Sequence, residues 1–343
     1  MPTAEPKPID VQLLALPETA ASGLYGMLDV LRVAGALWRT ISGADPGPTC
    51  FNPRIVASQP EPFRCGGVAM VEPDIVISPS NVPEVLVITD FWLALDDAVL
   101  DRHEELKAWL RHCWSNGATI YSACSGSIIL AAAGLLDGRP ATSHWAYSDL
   151  FDSAFPKVSF DPTSNLCFSD ESGRLVTAGG AAAWHDLALH IISRHISPGE
   201  AIATAKFFLM KWHPEGQRPY ANEARQRPHA DSAVRRAESW LRENFQSPDP
   251  VSGAIAAVGV SERSLKRRFT QATGVSLIAY AQNLRVEAAK EALEFSRKSF
   301  EEIAADVGYD NVAFFRRLFK RCTGMSPTEY RRLYEPFWAA HSA

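Results

Sequence analysis

The chain has 343 residues, enough for two domains or three with a full core in each, and its 46% hydrophobic and 10% aromatic content is ordinary for a globular protein. The net charge of −5 is unevenly spread: residues 228 to 343 hold 17 Lys plus Arg against 14 Asp plus Glu, and the remainder holds 17 against 25. A mildly basic C-terminal part on an acidic N-terminal part fits a DNA reader attached to something that is not one. The six cysteines show no paired or metal-ligand spacing, and nothing before them looks like a signal peptide. The longest apolar run, Ile128 to Leu136, is about half of a membrane span. Free thiols in a reducing cytoplasm, with no membrane, metal or cofactor, are the expectation. His185, His190 and His195 lie five apart, which on a helix turns each away from the last and argues against a chelating face.

In chain order, Met1 to Pro8 reads as a loose, Pro-rich terminus, and Ile9 to Leu16 as a strand buried on both faces. Gly23 to Leu37 has helical spacing, Arg54 to Ala57 and Val85 to Thr89 read as short strands, Asp101 to Asn116 as an amphipathic helix, and Ala118 to Ala123 as strand again. Alternating strands and helices predict a parallel-sheet α/β sandwich of flavodoxin-like type. Asp186 to Ile192 and Glu200 to Trp212 predict two helices that close this domain.

The informative site in this half is Ala118-Thr-Ile-Tyr-Ser-Ala-Cys124-Ser-Gly126, where a strand runs into small residues and then a helix. A Cys there is placed on a sharp turn beneath a helix N-terminus, whose N–H groups favour a thiolate. Thr142-Ser-His144-Trp145 offers an imidazole that can lie beside it. Through Ala-Cys124-Ser-Gly126, Ala-Gly134-Leu-Leu-Asp-Gly138, Ala141-Thr-Ser-His144-Trp145 and Thr177-Ala-Gly179-Gly180, residues 9 to 200 are similar to the PfpI-like proteins of the class I glutamine-amidotransferase superfamily. The resemblance implies an acidic residue near the end of the first strand, against the Cys. That position falls at Gly23, with Glu18 five residues too early, and the stretch that is usually Gly-Gly after the third strand is Thr89-Asp-Phe-Trp92. Three readings of Cys124 therefore stand: a working nucleophile, a retained elbow lining a ligand pocket, or a buried inert thiol. Cys124, Ser125, His144, Trp145 and Trp184 are the pocket candidates, and no residue is assigned as catalytic.

Residues 213 to 232, with many polar residues and little apolar periodicity, read as an interdomain linker between a sensor domain over 1–212 and a helical domain over 233–343 that opens with a helix from Ala233 to Phe245. Within that domain one unit occurs twice. Shifted by fifty positions, Leu265, Arg267, Phe269, Thr273, Gly274, Ser276 and Tyr280 fall on Phe315, Arg317, Phe319, Thr323, Gly324, Ser326 and Tyr330. Each copy opens on a short apolar helix ending in Gly259 or Gly308, then a cap candidate (Ser261; Asp310 or Asn311) and a second helix: helix, turn, helix. Leu265 and Phe269 form the core side of the first, and Phe314 or Phe315 with Phe319 that of the second. Ser276 to Phe295 reads as one connecting helix that sets the spacing for successive major grooves.

These residues resemble the AraC/XylS family of transcription regulators over about Val234 to Leu333, most specifically in Gly324-Met-Ser-Pro-Thr-Glu-Tyr330-Arg-Arg. The resemblance implies an all-α double helix-turn-helix domain on double-stranded DNA, at a promoter or operator. It places Arg263, Lys266 and Arg267, and Ala313, Arg316 and Arg317, against base edges. Arg268, Lys320 and Arg321 are assigned to phosphates or solvent. The reading is a cytoplasmic, sequence-specific regulator that answers to an unknown small-molecule effector, with a homodimer possible. The alternative is a Cys-dependent hydrolase or glyoxalase-like enzyme with an accessory DNA-binding domain.

Overall fold

The computed structural model describes all residues except 1–6, 36, 42, 44–46, 48, 93–102, 223, 225–228 and 340–343, and it divides into two compact units, Met1–Gln217 and Arg218–Ala343. Among the described residues of the first unit, β1 (Ile9–Leu14), β2 (Phe51–Ala57), β3 (Ile75–Val76), β4 (Val85–Ile88), β5 (Thr119–Ala123), β6 (Leu166–Phe168) and β7 (Leu175–Ala178) form one sheet in the order β6-β7-β5-β4-β1-β2-β3. Every neighbouring pair is parallel except β6 with β7. Central strands β4 and β5 are buried at every residue, and this is why they read as unbroken apolar runs.

The first-unit helices are α1 (Ala21–Val33), α2 (Leu37–Ile41), α3 (Glu104–Ser115), α4 (Gly126–Ala132), α5 (Ser148–Ala154), α6 (Trp184–His195) and α7 (Pro198–Phe208). On one sheet face Val11, Leu13, Val85 and Val87 meet Leu24, Met27 and Leu31 of α1 and Leu187 and Ile191 of α6. On the other, Leu14, Leu86 and Ile88 meet Leu106 and Leu110 of α3 and Ile128 and Ile129 of α4. Alternate strand residues thus serve opposite layers, the α/β sandwich that the sequence predicts.

The second unit holds α8 (Ser232–Asn244), α9 (Pro250–Val258), α10 (Glu262–Thr273), α11 (Leu277–Phe295), α12 (Phe300–Asp306), α13 (Val312–Thr323) and α14 (Pro327–Ala339). The repeat is visible atom by atom: Thr273 Oγ1 donates to Phe269 O at 2.8 Å, and Thr323 Oγ1 donates to Phe319 O at 2.8 Å. The Phe269 and Tyr280 rings meet edge-on at 5.3 Å, those of Phe319 and Tyr330 at 5.5 Å. Helix α11 serves both halves, with Leu284 in the first cluster and Val286, Ala289 and Leu293 in the second. Asn311, not Asp310, caps α13 by accepting from Phe314 N at 2.9 Å, whereas Ser261 stands at the start of α10 without a side-chain cap bond.

The stretch 213–232, which the sequence presents as a tether, is anchored at both ends. His213 donates its backbone N–H to Asp186 Oδ1 at 3.0 Å, and Gln217 is 3% exposed. Lys290 Nζ donates to Ala221 O at 2.7 Å, and Arg242 Nη2 to Ala224 O at 2.6 Å. Residues 1–6 of the expected loose terminus, and 223 and 225–228 of the expected linker, lie outside the described residues.

Candidate DNA-reading face and cysteine elbow

Two amphipathic helices carry the cationic residues, because each buries one face and leaves the other to polar side chains. On α10, Leu265 and Phe269 are fully buried while Arg263, Lys266 and Arg267 are exposed. On α13, Phe315, Leu318 and Phe319 are buried while Ala313, Arg316, Arg317, Lys320 and Arg321 are exposed. Lys266 pairs with Glu262 at 2.5 Å, Arg316 with Glu301 at 2.8 Å, and Arg321 reaches Gln282 at 3.4 Å. For Arg263, Arg267 and Arg317 no hydrogen bond or ion pair is formed with the described residues.

Arg268 departs from its assignment to phosphate or solvent. Its Nε and Nη2 donate to Asp231 Oδ2 and Oδ1 at 2.8 and 2.7 Å. The same Asp231 caps α8 by accepting from Ala233 and Val234 N–H. Arg268 is held by this two-pronged bond as a clasp between α8 and α10, and the bond keeps the Asp231 carboxyl down at about 2.

In the first unit Cys124 follows β5 directly with φ +51, in the left-handed region that few side chains adopt. Gly126 is required next: a Cβ there would lie 2.6 Å from Ile88 O and 2.7 Å from Thr89 O at the end of β4. The elbow is fixed by Cys124 N–H to Ala178 O at 2.9 Å and by Ser143 Oγ to Cys124 O at 2.7 Å. Ser125 Oγ donates to Phe91 O at 2.8 Å and accepts from Phe91 N–H at 2.7 Å, tying the elbow to the loop after β4.

The thiol is not the activated thiolate that the helix N-terminus suggested. Burial, and next the neighbouring Asp90 charge, push Cys124 up to about 12 against the lowering effect of Ser125 and the His144 backbone. The Ser125 N–H just ahead of α4 (Gly126–Ala132) does lower the thiol, and burial outweighs it. The His144 imidazole uses Nδ1 to accept from Ala146 N–H at 3.1 Å, lies 5.2 Å from the Trp145 ring, and is held below its ordinary value by burial. Trp184 packs its ring against Gly26 of α1 and edge-on to His185 at 3.9 Å. The structure therefore gathers Cys124, Ser125 and the His144 backbone, and sets Trp184 on α1.

Two residues that shape the elbow escape the sequence. Asp90, on the loop after β4, is 6% exposed, and burial pushes its carboxyl up to about 6. It fills the space beside Gly23 where a side chain would sit, so the carboxyl missing from position 23 is supplied from position 90, a correction to the expectation of none. Gln217 is the second. Its Nε2 donates to Ser143 O at 2.8 Å and Ser164 O at 3.0 Å, and its Oε1 accepts from Trp145 N–H at 3.1 Å. The only signal for Asp90 was a carboxylate where the resemblance expects Gly-Gly, and for Gln217 there was none.

Residues 255–333 match the helix-turn-helix domain family, and residues 96–194 match the DJ-1/PfpI family. The HTH-type transcriptional regulator CdhR of Pseudomonas aeruginosa is 26% identical over 329 residues, spanning 94% of this chain and 91% of its own. The chain thus combines an AraC-type helix-turn-helix domain with a DJ-1/PfpI domain, the architecture of HTH-type transcriptional regulators. The HTH-type transcriptional regulator GlxA of Rhizobium meliloti is 28% identical to this regulator over 228 residues, 65% of this chain and 68% of its own. A solved transcriptional regulator protein from Vibrio parahaemolyticus aligns with TM-score 0.50 and 18% identity over 59% of this chain and 99% of its own, a likeness of fold alone. No helix among the described residues is long and apolar enough to cross a membrane.

Proposed function

We propose that this regulator binds a specific duplex sequence through α10 and α13 and that its DJ-1/PfpI domain senses a small effector at the Cys124 elbow without turning it over. One observation carries the DNA reading: Arg267 and Arg317 are exposed at equivalent positions on the second helices of two units that repeat the same hydrogen bond and ring contact. Arginine pairs bidentately with guanine O6 and N7, and two such helices joined by a rod suit successive major grooves. The sensor reading is supported by the protonated thiol and by Gln217, which ties Ser143 and Trp145 to the chain end leading into the helical domain. A cytoplasmic location and a homodimer belong to the same proposal.

The enzyme alternative has one observation in its favour, the Asp90 carboxyl beside the thiol. Binding-site selection from random duplexes with the full chain, beside an esterase, amidase and glyoxalase screen, tests both. Enrichment of one sequence without turnover is the expected outcome. No enrichment overturns the DNA reading, and Cys124-dependent turnover overturns the sensor reading.

A further inference from the structure

We infer that the two recognition helices read different base chemistry, α10 reading hydrogen-bond acceptors through arginine and α13 reading thymine methyl groups through Ala313 and Phe314 beside Arg317. The inference rests on the proposed DNA-binding function and names what each half of the site contains.

The two helices are alike in core and unlike in face. On α10 the position fifty residues before Phe314 is Ser264, and the exposed side chains Arg263, Lys266 and Arg267 are all cationic. On α13 the position matching Arg263 is Ala313, exposed and without a polar atom, and next to it Phe314 is 39% exposed. Two of the remaining cations of α13 are engaged. Arg316 is paired with Glu301 and lies over the Phe300 ring at 5.5 Å, and Arg321 reaches Gln282, while Lys320 lies exposed toward the C-terminal end of the helix. Arg317 is left one turn beyond Ala313, at the centre of the exposed face.

Phe314 has no core to join, since Phe315, Leu318 and Phe319 already fill the buried face of α13. Its ring leans on Tyr309 at 5.8 Å, which fixes its direction without covering it. It also lies in the first turn, where Asn311 caps its N–H, and the N-terminal residues of a recognition helix are those that reach base edges. In the major groove the one apolar feature that distinguishes a base is the thymine C5-methyl, and Ala and Phe are side chains that contact it. An alanine and a phenylalanine exposed together at this end of a reading helix therefore suit a thymine-bearing half-site, continuous with the face that Arg317 presents.

The test uses the full chain and the duplex that it selects from a random pool. Thymines in the half-site covered by the second unit are replaced one at a time by deoxyuridine, which removes only the methyl group. Wild type is expected to lose about three- to fivefold in affinity at each contacted position, the worth of burying one methyl group. At the thymine that Phe314 covers, Phe314→Ala should bind the thymine and deoxyuridine duplexes alike while any penalty under Ala313 remains, and Phe314→Leu, which keeps an apolar tip, should restore part of the difference. Wild type binding both duplexes equally at every position, or Phe314→Ala keeping the full deoxyuridine penalty at every position, overturns the inference while leaving DNA binding intact. A wild-type chain that selects no duplex removes the DNA reading and this inference with it.

Discussion

The carboxyl of Asp90 occupies the space that a side chain on Gly23 would need, its Oδ1 overlapping the place where a Cβ at position 23 would be built. Asp90 follows β4 and Gly23 opens α1, so two distant stretches share one small volume beside Cys124. Only one of them can hold a side chain there. Gly23→Ala should destabilise the first domain by about 1–3 kcal/mol through overpacking, and Asp90→Gly should relieve it. A double-mutant cycle read by urea unfolding gives the coupling; additive effects would mean that the two positions do not compete.

The same carboxyl makes a pH prediction. Asp90 holds its proton up to about 6 when folded, against 3.8 for the free group. Between these values the folded state binds more protons than the unfolded one, so the contribution of Asp90 is fully present below about pH 4 and is lost as pH rises through about 6. Asp90→Asn removes the buried charge. It should raise stability at pH 7.5 on the order of 2 kcal/mol, a gain that vanishes near pH 4. Equal differences at both pH values would show that no ionised carboxylate is strained there.

The double repeat was legible because its marks are local and chemical: Thr273 and Thr323, Tyr280 and Tyr330, Gly274 and Gly324 hold the same spacing in both copies. The sheet was legible where strands are buried on both faces, as in β4 and β5, and illegible where they are as short as β3 or sit at the edge like β6. Asp90 was hidden because its partner in space lies 67 positions away (90 less 23), and no periodicity records such an encounter. Arg268 looked like one more surface cation, since nothing in its own helix announces that Asp231 clasps it.

That clasp separates Arg268 from its neighbours. Arg268→Ala should lower the melting temperature of the second domain while leaving the slope of log affinity against log salt unchanged, because no phosphate contact is lost. The contrast is the double variant Arg267→Ala, Arg317→Ala, which should fold normally and lose a few orders of magnitude on the selected duplex, each bidentate base contact being worth about 1–3 kcal/mol. Equal losses on selected and random DNA would make those two arginines phosphate contacts.

Gln217 predicts a stability order. Alanine there removes the Nε2 donor from the carbonyls of Ser143 and Ser164 and leaves them the single hydroxyl of Thr142 to share, at a cost of about 1–3 kcal/mol. Glutamate should be worse than alanine, since a carboxylate faces two carbonyl oxygens that it cannot satisfy. Hydrogen exchange at the Trp145 amide, which donates to Gln217 Oε1, should quicken most in the alanine variant, since glutamate keeps an oxygen that can accept from it. A Glu variant as stable as wild type would mean that the side chain is not seated where these bonds put it.

Cys124 is expected to matter for the shape of the elbow and not for turnover. The thiolate is the nucleophile, and burial together with the Asp90 charge pushes this thiol up to about 12. At pH 8 the reactive fraction is then smaller than in an ordinary cysteine by two orders of magnitude or roughly three. Iodoacetamide should accordingly label Cys124 at least about a hundredfold more slowly than a small free thiol. Asp90→Asn, which removes the nearby negative charge, should speed labelling, whereas a His144 variant with the backbone intact should leave it unchanged. Cys124→Ser should keep DNA affinity in the absence of effector. Rapid labelling at neutral pH, or turnover of an ester, amide or α-oxoaldehyde that disappears in Cys124→Ser, would place a working nucleophile at the elbow and give the domain to catalysis.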